Sequence, residues 1–340
     1  MSENAEMNDN PHIDIFTFGD AEPVLDSSDY MSMFRSYWNG EFYEPPFAME
    51  KLAKLRNANA HHGSAIDVKA KILTSCYEPG AKKWLSKRDF LQMARDFLIF
   101  GDSYCERVKN GLGGTLTLRH SPAKYTRRGK DGDFFFLNET GQRHKFRKES
   151  VFQISEGDIN QEIYGVPTWL PAMQSILLNE GATLFRRKYF VNGAHAGFLI
   201  YITDPNIKGE EAELLKSQLR KAKGMGNFKN MVVTAPNGNP DGIKLMPIAE
   251  VSAKDDFLNI KDVSRDDILA VHRVPPQIMG IIPKNTSGFG SHKDAALIFN
   301  RNEIVPLQDF FLSINDWLGE QVVTFKPYVI EGLGEKGSEK

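Results

Sequence analysis

Between Thr168 and Asn192 the chain carries its strongest helical signal, and that run restricts the possible folds more than any other segment. Trp169, Leu170, Met173, Ile176, Leu177, Leu184, Phe185 and Tyr189 recur every three to four residues. That spacing gathers apolar side chains on one face of a helix. Thr168 can cap the helix, and Pro171 falls in its first turn, where a missing N–H costs little. Asn192-Gly193 supplies a stop. Roughly 24 residues at 1.5 Å each predict a rod of about 36 Å. Such a rod must bury its apolar face, and burial between subunits is the expectation. Arg186, Arg187 and Lys188 sit in its last turns, where complementing the helix dipole suffices to explain them.

Two further helical runs follow. One extends from Asp255 to His272, carries Phe257, Ile260, Ile268 and Val271, and can restart midway at Ser264 and Asp267. Val274-Pro275-Pro276 must end it, because both prolines lack an N–H and the first disfavours helix at Val274. After the loop Lys284–Ser291, a long helix is expected from His292 to Gly319, with Ala296, Phe299, Ile304, Leu307, Phe311, Ile314 and Leu318 as its apolar face. Val322–Phe325 reads as a closing strand, and Gly332 onward as a tail. Between the first two runs lies a compact strand–helix–strand unit with strands at Gly197–Ile202 and Met231–Thr234, and a third strand at Ile243–Ile248. Its helix opens with Glu210, Glu211 and Glu213, buries Ala212, Leu215, Leu219 and Ala222, and closes with Lys216, Arg220, Lys221 and Lys223. Acid first and base last is the order the dipole favours.

Ahead of the long rod the period changes twice. Residues 31–110 read as mainly helical, and Ser86 with Asp89 has the spacing of a capping box ahead of Phe90, Met93, Ala94, Phe97 and Leu98. From Ser103 to about Ile154 the period is two, with glycine-rich turns, which predicts a small antiparallel sheet of hairpins. Its turns are basic (Lys124, Arg127, Arg128, Lys130, Arg143, Lys145, Arg147, Lys148), the ordinary property of solvated loop faces.

Charge is distributed unevenly. The net charge is −2, yet residues 1–30 hold eight acidic side chains and no Lys or Arg, leaving +6 on the other 310. An acidic leader of this kind reads as a solvated arm, although Ile13, Ile15, Phe16 and Phe18 can clip onto a neighbour. With 41% hydrophobic and 25% charged residues the chain can bury a large core, and no run of 18 apolar residues suggests a membrane span. No signal peptide is recognisable, and Cys76 with Cys105 cannot make a disulfide framework or a four-cysteine metal site. A cytosolic protein is expected.

No catalytic apparatus is visible. The phosphate-binding GxxxxGK[ST], the GxSxG elbow and HExxH are all absent, so none of the usual anchors for phosphates, an acyl intermediate or zinc exists. His61 and His62 are adjacent and would point about 100° apart on a helix, a poor chelate. Gly224-Met-Gly226 and Gly288-Phe-Gly290 are ordinary turn glycines. No cofactor is expected, and the chain does not read as an enzyme.

The order of elements, together with several segments, resembles the bacteriophage portal proteins, most closely the PBSX type. Leu98-Ile-Phe-Gly-Asp-Ser-Tyr104 is similar to the family's wing segment. Ile163-Tyr-Gly-Val-Pro-Thr-Trp169 leads into the rod, and Phe185-Arg-Arg-Lys-Tyr-Phe-Val-Asn-Gly-Ala-His-Ala-Gly197 leaves it. Asp267-Ile-Leu-Ala-Val-His-Arg-Val-Pro-Pro-Gln-Ile-Met-Gly280 looks like the stretch before the tunnel loop, and Phe299–Leu318, with Val305-Pro306-Leu307, like the helix after it. Each motif is weak alone, and the ordered set covers roughly residues 30–330.

The resemblance implies an α+β, portal-like fold: a mixed α/β wing, a two-helix stem, a small α/β clip, a tunnel loop and a long C-terminal helix. The expected division is an acidic flexible arm (1–30), wing (31–165), stem helix (166–193), clip (194–250), second stem helix (251–276), tunnel loop (277–291), long helix and wing strand (292–330) and flexible tail (331–340). It also implies a ring, usually of twelve subunits, at one capsid vertex, with double-stranded DNA passing through without sequence specificity. Terminase, capsid or scaffold protein and head-completion protein would be partners, without a membrane. The expected location is the virion, and the host cytoplasm during assembly. By the same analogy Lys284, Asn285, Thr286, Ser287, Gly288, Phe289 and Lys293 would face DNA. Asp255, Asp256 and Asp262 would be channel-wall candidates, unless their helix simply shows solvent an acidic face. Lys216, Arg220 and Lys223 would dock partners on the clip. A channel that conducts DNA must not grip it, and near-neutral charge suits that task, since each neutralised phosphate adds affinity through counterion release. The alternatives are a terminase-like nuclease using paired carboxylates with Mg²⁺, or a generic capsid or tail structural protein.

Overall fold

A computed structural model describes residues 35–191, 198–202, 243–247, 252–281 and 292–329. The chain enters through a short hairpin, β1 (Tyr37–Trp38) paired with β2 (Tyr43–Glu44). The helical reading of residues 31–110 fails here, because Asn39-Gly40 makes a turn: Asn39 Oδ1 accepts from the N–H groups of Glu41 and Phe42, and Gly40 has φ +104°. From Met49 onward the helices appear as expected: α1 (Met49–Leu55), α2 (Ala60–Cys76) and α3 (Lys87–Phe100), with β3 (Tyr77–Pro79) between the last two. Asn59 caps α2 by accepting from the N–H groups of His61 and His62, and Ser86 caps α3 by accepting from Asp89 N–H. Each cap satisfies donors that a helix start leaves orphaned.

The hairpin region forms two three-stranded antiparallel sheets rather than one. In the first, β4 (Asp102–Lys109) lies between β5 (Thr115–Ser121) and β9 (Val151–Ser155), with Cys105 opposite both His120 and Phe152. In the second, β7 (Phe134–Leu137) lies between β6 (Thr126–Arg128) and β8 (Arg143–Lys145).

The long rod starts later than expected. Trp169 leads into a 3₁₀ turn, Leu170–Ala172, that carries Pro171, and α4 proper runs Met173–Val191. Thr168 lies upstream of both. The strand expected at 197–202 is β10 (Phe198–Ile202), paired along its whole length with β11 (Ile243–Pro247); the helix and strand expected between them lie outside the described residues. Helix α5 runs unbroken through Ser264, from Ser252 to Val271. It ends at Arg273, whose φ is +54°. Arg273 N–H bonds Ala270 O and Val274 N–H bonds Leu269 O, the Schellman pattern, here with arginine where glycine is usual. Pro276–Met279 then forms one 3₁₀ turn.

The final helix is also not uniform. It comprises α6 (His292–Phe299), a π turn (Asn300–Ile304) and α7 (Val305–Leu318). Pro306 accounts for the interruption: it has no N–H for a carbonyl four residues back, and its ring would crowd that carbonyl, so the chain inserts one residue of slack. After Gly319, β12 (Val323–Phe325) returns to pair with β3.

The core lies where these ends meet. Tyr77 stacks on Phe90 at 4.1 Å between ring centroids, and Phe90 and Phe97 both touch Phe311. Trp169 is 1% exposed and its indole N–H donates to Leu98 O at 3.1 Å. The C-terminal segment therefore completes a core begun by the N-terminal third.

Candidate functional site

Two glycines set how closely the segments before and after the small sheets approach. Gly101 ends α3 with φ +76°, and a Cβ on Gly165 would lie 1.9 Å from Gly101 O. Glu156 N–H donates to Gly101 O, and Gly165 N–H to the Asp102 carboxylate at 2.8 Å. Gln153 Nε2 gives Asp102 a second bond at 2.7 Å, yet burial still pushes its carboxyl up to about 6. The segments around Gly-Asp-Ser and Tyr-Gly-Val are thus one joint, and it aims the chain into α4.

Helix α4 packs antiparallel on α5 through a polar seam. Asn179, which is buried, donates to Ser264 Oγ at 2.8 Å and to Lys261 O at 3.1 Å. Ser175 donates to Asp267 at 3.0 Å, and Lys261 Nζ to Thr183 Oγ1 at 2.6 Å. Outside the seam the pair leaves Leu178, Leu184 and Val263 at least half exposed.

At the end of α5 a buried polar cluster ties three segments together. Lys69 of α2 pairs with Glu303 of the π turn, and its Nζ also donates to His272 O at 3.3 Å. Arg273 Nη1 reaches the other oxygen of Glu303 at 3.3 Å. Both members of the Lys69–Glu303 pair are almost wholly buried, and burial lowers the Lys69 pKa. Beside them His62 Nδ1 lies 2.9 Å from His272 Nε2, and the His62 ring meets Trp169 edge-on. Burial keeps both imidazoles neutral: His62 is lowered to about 4 and His272 well below its ordinary value. A cavity of about 200 Å³ adjoins the cluster, lined in part by Lys69, Glu156, Arg273, Glu303 and Phe310. Burial, and then the charge of Glu303, raise the Glu156 pKa. These contacts make the cluster a clamp joining α2, the end of α5 and the π turn. Among the described residues, no group of three or more His, Cys, Asp and Glu side chains is placed to hold a metal ion. None of their helices is long and apolar enough to cross a membrane.

The residues singled out from sequence fare differently. Asp262 is half-buried on α5 and bonded to Arg265 at 3.0 Å. Asp255 and Asp256 lie in the first turns of the same helix, and Lys293 is the exposed second residue of α6. Lys284, Asn285, Thr286, Ser287, Gly288 and Phe289 lie outside the described residues, as do Lys216, Arg220 and Lys223. Lys69, Glu303, His62 and His272 are not among the residues the sequence points to: adjacency marks His62 only as a poor chelator, and the signal for Glu303 is Pro306, three residues beyond it within a helical pattern.

The family model described as phage portal protein matches residues 49–330. The probable portal protein of Escherichia phage P2 is 45% identical over 322 residues, covering 94% of this chain and 93% of that protein. The probable portal protein of Haemophilus phage HP1 is 38% identical over 296 residues, covering 85% of this chain and 84% of the relative. Among solved structures, a chain in the neck of a native gene transfer agent particle, computed with C12 symmetry, has a TM-score of 0.61 over 88% of both chains at 16% identity. The match is to the portal family at large rather than to the PBSX type in particular.

Proposed function

The chain belongs to the phage portal protein family, and from that premise we propose that it forms a ring at one capsid vertex through which double-stranded DNA enters and leaves. The observation that carries this reading is the 45% identity with the phage P2 probable portal protein across nearly the whole of both chains. The ring has twelve copies, a number supported by the C12 symmetry applied to the structurally similar neck chain. Its role is structural, not catalytic. The exposed apolar residues also favour assembly: Leu178, Leu184 and Val263 on the helix pair, and Leu297, Ile298 and Val305 along α6 and α7. A monomer gains nothing by showing such surface to water.

Helices α4 and α5 form the stem, and the small sheets with α1–α3, α7 and β12 form the wing; the β12–β3 pairing supports assigning both ends of the chain to one wing. Residues 194–250 form the clip, where Lys216, Arg220 and Lys223 meet terminase and head-completion protein, while capsid or scaffold protein holds the wing. Residues 277–291 form the tunnel loop, with Lys284 and Lys293 at its flanks touching phosphates as DNA passes, and Asp255, Asp256 and Asp262 keep the channel wall acidic. The protein works in the virion and is assembled in the host cytoplasm.

Negative-stain electron microscopy of the purified full chain tests the reading. Rings with a central hole wide enough for a duplex are expected. A monodisperse monomer at high concentration, across low and high salt, would overturn it.

A further inference from the structure

The sheet β6–β7–β8 and its turns carry an excess of basic side chains. Residues 122–149 hold eight Lys and Arg against four Asp and Glu. Strand β8 is fully exposed, and among the described residues it pairs only with β7, which leaves its other edge without a strand there. Phe146 N–H bonds Phe134 O, and strand alternation then turns the main-chain groups of Arg143 and Lys145 away from β7. Open edges invite another strand, and charges are the usual guard against the wrong one. Here the guard is cationic: Arg143 and Lys145 keep more than half their side-chain surface exposed although each holds one carboxylate, and Arg147 and Lys148 are exposed beyond them.

The described chain begins beside this sheet. Lys130 Nζ sits 4.4 Å over the Trp38 ring of β1. Phe42, in the turn after β1, touches Phe135 of β7, and the guanidinium of Arg143 lies 5.8 Å over the Phe42 ring while bonding Glu41. Everything upstream of Arg35 is acidic: eight carboxylates, no Lys or Arg, and the apolar strip Ile13, Ile15, Phe16 and Phe18 between Asp9 and Asp20. Seventeen residues separate Phe18 from Arg35, a reach of at most about 60 Å.

We propose that the acidic arm, residues 9–22, docks on the basic sheet of its own subunit along the open edge of β8. Three observations carry it: opposite charge on arm and sheet, an unpaired cationic edge, and an arm that leaves from the hairpin packed on that sheet. The short tether selects the arm's own sheet, because linkage of this length raises local concentration into the mM range. The arm thereby covers an edge that would otherwise be open to other chains.

Zero-length carbodiimide coupling on the full chain tests the contact, since it joins only carboxylates and amines already in touch. Expected products join Asp14, Asp20 or Glu22 to Lys130, Lys145 or Lys148, recovered from the monomer band of a denaturing gel. Raising NaCl from about 0.05 to about 0.5 M should lower their yield several-fold, because screening shortens the reach of the charges. Arg143→Glu with Arg147→Glu should reduce the yield by at least threefold, and the salt series reads the same contact on the unaltered chain should that variant fold poorly. Arm carboxylates joined to lysines elsewhere, products recovered only from the dimer band, or no arm coupling would each overturn the proposal.

Discussion

Gly165 shows how much of the joint ahead of α4 depends on one missing atom. A Cβ there would strike the carbonyl of Gly101, and neither backbone can retreat without losing the Glu156–Gly101 and Gly165–Asp102 bonds. Gly165→Ala is therefore expected to cost on the order of 3–5 kcal/mol in chemical denaturation. Gly181 is the control: it lies within α4 with open space around it, so Gly181→Ala should be neutral or stabilise by up to about 1 kcal/mol. The buried histidines make a prediction about acid. His62 falls from 6.5 to about 4 on folding, so between those pH values the unfolded chain binds the extra proton. Its contribution to stability is complete above pH 6.5 and is lost as the pH falls towards 4. Asp102 acts oppositely: its pKa is raised on folding to about 6, so its favourable contribution is present below about 3.8 and lost as the pH rises through 6. Comparing the chain with His62→Gln from pH 7 to 4 isolates the first effect. Their difference in denaturation midpoint should change across that window, and a constant difference would contradict it. In the sequence His62 is indistinguishable from His61, because what separates them is Trp169 and His272, distant along the chain.

At the scale of elements, the clamp and the π turn depend on each other. The π turn turns Glu303 inward, and Lys69 rewards that orientation with a buried ion pair. Removing Lys69 leaves the buried Glu303 only its longer contact with the exposed Arg273, whereas removing both partners leaves no buried charge. Lys69→Met should therefore destabilise by about 3–5 kcal/mol, while Lys69→Met with Glu303→Leu should recover most of that loss in a double-mutant cycle. Equal destabilisation by the single and double variants would show that the pair itself, rather than its balance, holds the elements. Most elements were legible from periodicity: α3 with its Ser86 cap, the strands from 102 to 155, α4, α5 and β12. Each misreading has its own cause. The β1–β2 hairpin is only two residues per strand, too short for any period to register, and its signal was the Asn39-Gly40 turn. The division into two sheets depends on register, which alternation does not specify. The π turn was readable in principle from Pro306, which cannot sit inside an unbroken α-helix.

For the whole molecule, the family and its element order were legible because ordered motifs survive as spacing, whereas the clamp was not, because its members come from residues 62–69, 272–273 and 303. The tunnel assignment makes one prediction at this scale. Deleting Asn285 to Gly290 should spare ring assembly and reduce packaged DNA or its retention; normal packaging by a correctly assembled deletion ring would refute it. The pairing of β12 with β3 has a consequence in time rather than in space. Tyr77, Phe90 and Phe97 are covered by Phe310, Phe311 and Phe325, which leave the ribosome more than 200 residues later. At roughly 5–20 residues per second, the N-terminal third waits on the order of 10–40 s with an aromatic surface open to its surroundings. During that interval the growing chain offers chaperones, or neighbouring nascent copies, the very face that β12 will close.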